Sequence, residues 1–435
     1  MCSGLACYSC SQKQSSSQAS MLSDAEKIVG LSKCWSEAKY NFVYFDRLTF
    51  DWDSLYQATI PVVLATKNDF EYYRELQRFV ARLQDGHTGV WWNWDRLDLR
   101  EYWATIPIFT RLIDGKMIII EVRNDTLEEK GIKRGLEIIK INGIDVHEYV
   151  STNIKPFVFS STEQWTNLIA YGIDATRGRR SESVHLTFRD ENNQIFERKI
   201  SRSMSVNVPS PRRPVFDFTV LENNIGLLKI DDFWRNNFIA HFDSIYKKIL
   251  ATDALIIDIR GNDGGSSNNS IYVLSHLTNE SFEMARWSSQ KYIPAFASWG
   301  HQTEWYVNEP WIAQPITGRP FYSKPVVLII DESTFSAAED FCVGFRNMNR
   351  GPIIGSPSGG STGNPIGFAF PFGGVVQLCT KKDTYPDGTE FVGIGILPDI
   401  EVRETVSSFF AKTESGKDNT KAVQKAIEVL KSSMK

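Results

Sequence analysis

The chain has 435 residues, 42% of them hydrophobic and 23% charged, with a formal net charge of −4. That length exceeds one ordinary core and calls for two or three domains, with 12 Trp and 27 Phe to fill them. The charge balance excludes the positive field that a nucleic-acid partner demands, and no run approaches the ~18 consecutive apolar residues of a membrane span.

Residues 1–21 read as a leader outside any domain. Met1 to Gln18 is small and Cys-rich, then Ser- and Gln-rich. It lacks the basic start and long apolar run of a secretory signal. A polar Ser/Gln stretch directly after a Cys is similar to the tether behind the lipidated Cys of bacterial lipoproteins. That resemblance implies a membrane tether through Cys10 or Cys7 and an extracytoplasmic location, in the periplasm or at the outer membrane. The alternative is a plain leader without an anchor. Cys34, Cys342 and Cys379 are scattered, so neither a zinc site nor a disulfide framework is expected.

Residues 22–100 form a helical N-terminal domain in this reading. Asp69 to Asp85 repeats apolar residues at helical spacing, and Gly86 is the expected stop. Residues 101–205 switch to short strands: Met117 to Val122 after the Asp114-Gly115 turn, Glu137 to Ile141 before Asn142-Gly143, then Ser183 to Arg189 and Gln194 to Ile200. The stretch RGLEIIKINGIDV resembles a PDZ domain, in which a bound peptide adds as a strand to a sheet edge. Leu136 replaces the usual Asp, and the insertion from Lys155 to Arg180 is longer than a PDZ requires. Residues 206–410 alternate buried strands (Ile225 to Ile230, Leu255 to Ile259, Val326 to Ile330) with helical stretches (Asn237 to Leu250, Ser336 to Asn347), which implies an α/β layer. Residues 411–435 carry a terminal amphipathic helix, Asn419 to Lys431.

Three motifs carry the chemistry. In DESTFSAAED, Asp331 to Asp340, a Ser leaves a buried strand and opens a helix, with backbone N–H groups beside its hydroxyl. An acyl-transfer nucleophile needs that exposure and those donors, although Ser333 or Ser336 as a plain helix cap is an equally local explanation. In DIRGNDGGSSNN, Asp258 to Asn269, Gly261, Gly264 and Gly265 allow close backbone approach; a glycine-rich turn is the alternative. No Gly-Lys-Ser/Thr follows, which speaks against phosphate binding. In LQDGHTGVWW, Leu83 to Trp92, His87 lies between Gly86 and Gly89 in a helix-to-strand loop. The other histidines, His147, His185, His241, His276 and His301, lie in or beside apolar-periodic segments.

Taken in order, Asp85-Gly86-His87-Thr88, the Asp258 to Gly265 run, Ser336-Ala337-Ala338-Glu339 and the closing Gly393 to Val402 strand resemble the C-terminal-processing peptidase and tricorn-core family of serine peptidases. The resemblance covers roughly residues 25–405. It implies a spiral, crotonase-like α/β core, polypeptide substrates, and no metal or organic cofactor. It makes Ser336 the nucleophile and places the oxyanion between the amides of Gly264 and Ala337, with Gly265 in support. One branch of the family pairs Ser with a Lys; here Ser361 stands at that place, as a supporting residue. The other, tricorn-like branch uses a His, which implies His87 as general base. A carboxylate orients it, Glu390 or, failing that, Asp387. Two other classes remain beside an endopeptidase or C-terminal-processing peptidase: a non-catalytic binding protein for peptides or apolar ligands on the same fold, and a crotonase-type acyl-thioester enzyme.

Overall fold

The computed structural model describes residues 21–93, 99–202, 214–412, 416 and 418–434. The Cys-rich leader, including Cys7 and Cys10, lies outside the described residues. The architecture is mixed α/β, with several sheets and three apolar cores. No helix among the described residues is long and apolar enough to cross a membrane.

Helices Asp24–Asn41, Trp52–Leu64 and Asp69–Ala81 open the chain. Each begins at a side-chain cap. Ser23 Oγ accepts from the Glu26 amide while Glu26 accepts from the Ser23 amide, and Asp51 and Asn68 take the amides of Ser54 and Glu71. The third helix buries Tyr72, Tyr73, Leu76, Phe79 and Val80, a one-sided stripe whose members contribute about 1.5–3 kcal/mol each. It ends at Ala81, earlier than the glycine stop expected at Gly86. Gln84 makes the turn, at φ +52°. Gly86 is small for a different reason: a Cβ there would sit 2.9 Å from the Phe335 ring and 3.1 Å from Ser361 Cβ.

An antiparallel sheet follows, in the spatial order Ile108–Ile113, Lys116–Val122, Glu137–Ile141, Ser183–Arg189, Ile195–Ser201. Asp114-Gly115 and Asn142-Gly143 both turn through two residues of positive φ, as tight hairpins require. The sheet has its own core, including Met117, Ile119, Ile138, Leu186 and Phe188. The long insertion behaves otherwise. Its helix Glu163–Ala170 leans onto the loops of the next layer, described below.

That layer is a six-stranded sheet in the order Ile400–Glu401, Ile353–Gly355, Val326–Ile330, Ala254–Asp258, Ile225–Ile230, Phe216–Val220. All neighbours run parallel except the last pair. The central strands are buried on both faces, and their side chains alternate. Leu228, Leu255, Ile257, Leu328 and Ile330 join the large core with the N-terminal helices, whereas Leu227, Ile256, Val327 and Ile329 face the terminal helix Lys421–Ser433.

A small third sheet joins the N-terminal layer to this core. Gly89–Trp91 pairs antiparallel with Val375–Leu378, which pairs with Ile366–Ala369. It fixes the loop that carries His87.

Candidate active site

Ser336 sits between the strand Val326–Ile330 and the helix Ala337–Asn347, at the carboxyl end of the parallel sheet. Its backbone is left-handed, φ +54° and ψ −122°, a conformation that costs a non-glycine residue about 1–3 kcal/mol. Three neighbours hold it there. The Ser336 N–H is shared between Ser361 O at 3.2 Å and Glu339 Oε2 at 3.3 Å, and the Phe335 N–H donates to Asn262 O at 3.0 Å. Ser336 Oγ lies 3.1 Å from His87 Nε2.

His87 is pinned from both sides of the chain. Its amide donates to Asp85 Oδ1 at 2.9 Å, its carbonyl accepts from Gln377 Nε2, and Thr88 Oγ1 accepts from the Cys379 amide. The ring stacks on Phe335 (4.8 Å between centroids, 8° apart), and Phe335 stacks on Trp165 from the insertion. Burial pushes the imidazole down to about 4, and the nearby Lys381 ammonium adds to this, so the ring is neutral at physiological pH. A neutral ring has one acceptor nitrogen. If that is Nε2, the Nδ1–H donates to Ser361 Oγ at 2.9 Å.

The carboxylates expected to orient His87 are elsewhere. Glu390 is ion-paired with Arg47 Nη2 at 2.8 Å and with Lys382; burial raises its carboxyl, but these two cations outweigh burial and hold it low. Asp387 accepts from the Thr389 amide in its own exposed turn. The group at Nδ1 is the Ser361 hydroxyl, expected from the sequence only as a supporting residue. Ser333 is also displaced from the ring: its amide donates to Asp331 Oδ1, in the turn ahead of the nucleophile.

The glycine run meets the nucleophile. A Cβ on Gly264 would come within 2.8 Å of Ser336 Cβ and 3.0 Å of Ala337 N, so only glycine fits beside that helix start. The Gly264 amide, expected to point at an oxyanion, instead donates to Asn262 Oδ1 at 2.9 Å. Gly265 pairs with Phe233 in a parallel bridge, and a side chain there would strike the Phe233–Trp234 backbone.

Several residues reach the site without any signal that composition or periodicity would flag. Glu339 was visible only as the end of a four-residue motif. Its spacing of three from Ser336 at a helix start is the signature that could have singled it out. The insertion contributes Ser161 to the Gly86 amide (3.0 Å), Thr162 Oγ1 to Gly359 O (2.7 Å) and Gln164 Nε2 to Ser358 O and Ile394 O. From the antiparallel sheet, Arg111 forms ion pairs with Asp331 and Glu332, the two residues that start the nucleophile turn. A cavity of about 490 Å³ lies beside these pairs, lined in part by Arg111, Asn167, Glu332 and Ser356; neither Ser336 nor His87 lines it. Among the described residues no cluster of His, Cys, Asp or Glu has the makings of a metal site.

Comparison with known proteins gives consistent similarities. Residues 224–402 match the model of peptidase family S41. The chain is 28% identical over 194 residues to the carboxy-terminal-processing protease of Bartonella bacilliformis, covering 42% of this chain and 40% of that one. It is 22% identical over 297 residues to the carboxyl-terminal-processing protease of Picosynechococcus, covering 66% and 60% respectively. The chain thus spans roughly two to three fifths of the length of these curated relatives. Among solved structures, mature CPAF complexed with lactacystin superposes with a TM-score of 0.71 at 17% identity, over 94% of this chain and 98% of that one. The photosystem II D1 C-terminal processing protease superposes at 0.51 and 15% identity, over 87% and 93%. The similarity to S41 and C-terminal-processing peptidases expected from the motifs is therefore found, and the solved structures establish the shared fold.

Proposed function

We propose that the chain is a serine peptidase in which Ser336 is the nucleophile and His87 the general base. One observation carries the reading: a strained, left-handed Ser336 whose Oγ lies 3.1 Å from the Nε2 of a buried, neutral histidine. Ser336 Oγ attacks the peptide carbonyl carbon as its proton passes to His87 Nε2. The carbonyl oxygen becomes an oxyanion beside the Ala337 amide at the helix start, where the positive end of the dipole favours negative charge. The amide of the Gly264–Gly265 turn completes the site. Gly264 reaches it by exchanging Asn262 Oδ1 for the substrate oxygen.

His87 then returns the proton to the leaving amine. The acyl group stays on Ser336, and water, deprotonated by the same ring, releases it. Through both halves the Ser361 hydroxyl holds Nδ1–H and so fixes the tautomer. It is the orienting group in this reading, in place of Glu390.

In the same reading residues 101–205 are the PDZ-like unit and residues 206–410 the crotonase-like core, flanked by the helical domain at 22–100 and the tail at 411–435. Polypeptides are the substrates, on the strength of the S41 match and the relatives' names. The Ser/Gln stretch after Cys10 supports an extracytoplasmic tether, which palmitate labelling of wild type but not of Cys10→Ala would reveal.

The direct test is a fluorophosphonate probe followed by mass spectrometry. Labelling of Ser336 that disappears in His87→Ala is the expected result. A folded protein that never labels would instead favour a binding protein on this fold, and labelling blocked by excess acyl-CoA would favour a thioester enzyme.

A further inference from the structure

Glu339, in the first turn of the nucleophile helix, is completely buried. Its carboxylate accepts four hydrogen bonds. Oε1 takes the Ser358 hydroxyl and the Gly360 amide (2.8 Å); Oε2 takes the Ser361 amide (2.9 Å) and the Ser336 amide (3.3 Å). Those four donors use the full accepting capacity of an ionised carboxylate. Three are backbone amides, which cannot reverse their role. The fourth, the Ser358 hydroxyl, accepts from the Ile396 amide at 2.6 Å and gives its one proton to Glu339. A proton on Glu339 must therefore either turn the Ser358 hydroxyl round or displace one of the three amides.

All four donors belong to the site or to the loop that supports it. Ser336 is the nucleophile, and Ser358, Gly360 and Ser361 form the loop whose last hydroxyl meets His87 Nδ1. We propose that Glu339 is a positioning residue whose ionised carboxylate holds the backbone of Ser336 and the Ser361 loop in register, so that protonation uncouples His87 from the nucleophile. The inference rests on the peptidase reading and adds a residue and a condition to it.

The surroundings make that condition reachable near neutrality. Among the described residues no cation bonds to Glu339, and burial pushes its carboxyl up to about 7 against the pull of its four donors. The titratable groups facing it are the Cys342 thiol, one turn along the helix, and the Tyr385 phenol, to which Arg346 Nη1 donates at 2.9 Å. Burial raises both groups, so both are uncharged across pH 5–9. Asp340, next in sequence, turns away to accept from Ser267 Oγ. His87, lowered to about 4, does not titrate in this range.

The experiment is the pH profile of kcat/KM for a peptide substrate, with the rate of fluorophosphonate labelling, in the full chain and in Glu339→Gln. Wild type should lose about tenfold per pH unit below neutrality and level off above it, the behaviour of one essential ionised group. Glu339→Gln has one acceptor oxygen for four donors. It should be about 100-fold slower at pH 8, with kcat affected more than KM, and should lack the limb near pH 7. Should Glu339→Gln fail to fold, Ser361→Ala retains the carboxylate and must keep the limb at a lower plateau. A wild-type profile flat from pH 5 to 9, or a folded Glu339→Gln with the wild-type rate and limb, overturns the role of Glu339 and leaves the peptidase intact. No labelling of Ser336 at any pH overturns both.

Discussion

Ser361→Ala tests whether a neutral hydroxyl, rather than a carboxylate, orients the catalytic imidazole. The substitution removes one 2.9 Å contact to His87 Nδ1 and leaves the surrounding frame in place. The Ser361 amide still reaches Glu339, and the Ser361 carbonyl still accepts from Ser336. In the ground state that hydrogen bond is neutral and contributes about 0.5–1.5 kcal/mol. Once His87 carries the nucleophile's proton it becomes a bond to a cation, about 1.5–3 kcal/mol. The free enzyme loses the smaller value and the transition state the larger, a difference of about 1–1.5 kcal/mol, so kcat/KM should fall by about 5- to 15-fold with KM little changed. Glu390→Gln is the companion. Glu390 is 40% exposed and paired with Arg47 and Lys382, so its loss should stay within about twofold. Both variants are assayed on a chromogenic peptide under single-turnover conditions, with folding checked by circular dichroism. A Glu390→Gln effect larger than that of Ser361→Ala would refute the argument and restore the carboxylate as orienter.

Ser336→Ala should abolish hydrolysis and labelling while costing at most about 0.5–2 kcal/mol of stability, whereas Ser333→Ala, bound only in its own turn, should keep most activity. His87→Ala should remove most activity, and Ser361→Lys should not restore it. Because burial lowers His87 to about 4, the ring's own titration should appear as a loss of activity only as pH falls through about 4, rather than as a limb at its ordinary 6.5. Gly86→Ala would press a Cβ against Phe335 and Ser361 Cβ, both within 3.1 Å. It should cost about 1–3 kcal/mol in urea melts and slow labelling, and unchanged kinetics would show that the loop can yield.

The layers of this molecule could be read from sequence because their strands are extreme. Val326–Ile330 and Ala254–Asp258 are apolar at every position but the last Asp, which only a strand covered on both faces explains. The motifs around Gly264 and Ser336 were visible for a related reason, since each leaves such a strand at a turn, whereas the His87 motif follows a one-sided helix. What could not be read is where side chains point once loops pack together. Glu390 has the right chemistry and the right neighbourhood in sequence, yet Arg47, 343 residues earlier, claims it. Ser361 shows nothing in sequence except the absence of a Lys. The insertion is longer than a PDZ requires; Thr162, Gln164 and Trp165 bracing the loops around Ser336 give a reason for that length. Deleting residues 101–205 should therefore impair short and long substrates alike, since the deletion removes those braces together with Arg111.

His87 and Ser336 are 249 residues apart, and His87 and Ser361 are 274 apart. During synthesis the histidine loop emerges first and must wait for the serine, a delay of about 12–50 s at ordinary elongation rates. A chain still short of Ser336 thus holds only half of the proposed site. On the proposed mechanism hydrolysis begins only when the last third of the polypeptide has folded onto the first. The rate of peptide cleavage is then, on that mechanism, a count of molecules in which the two loops have met.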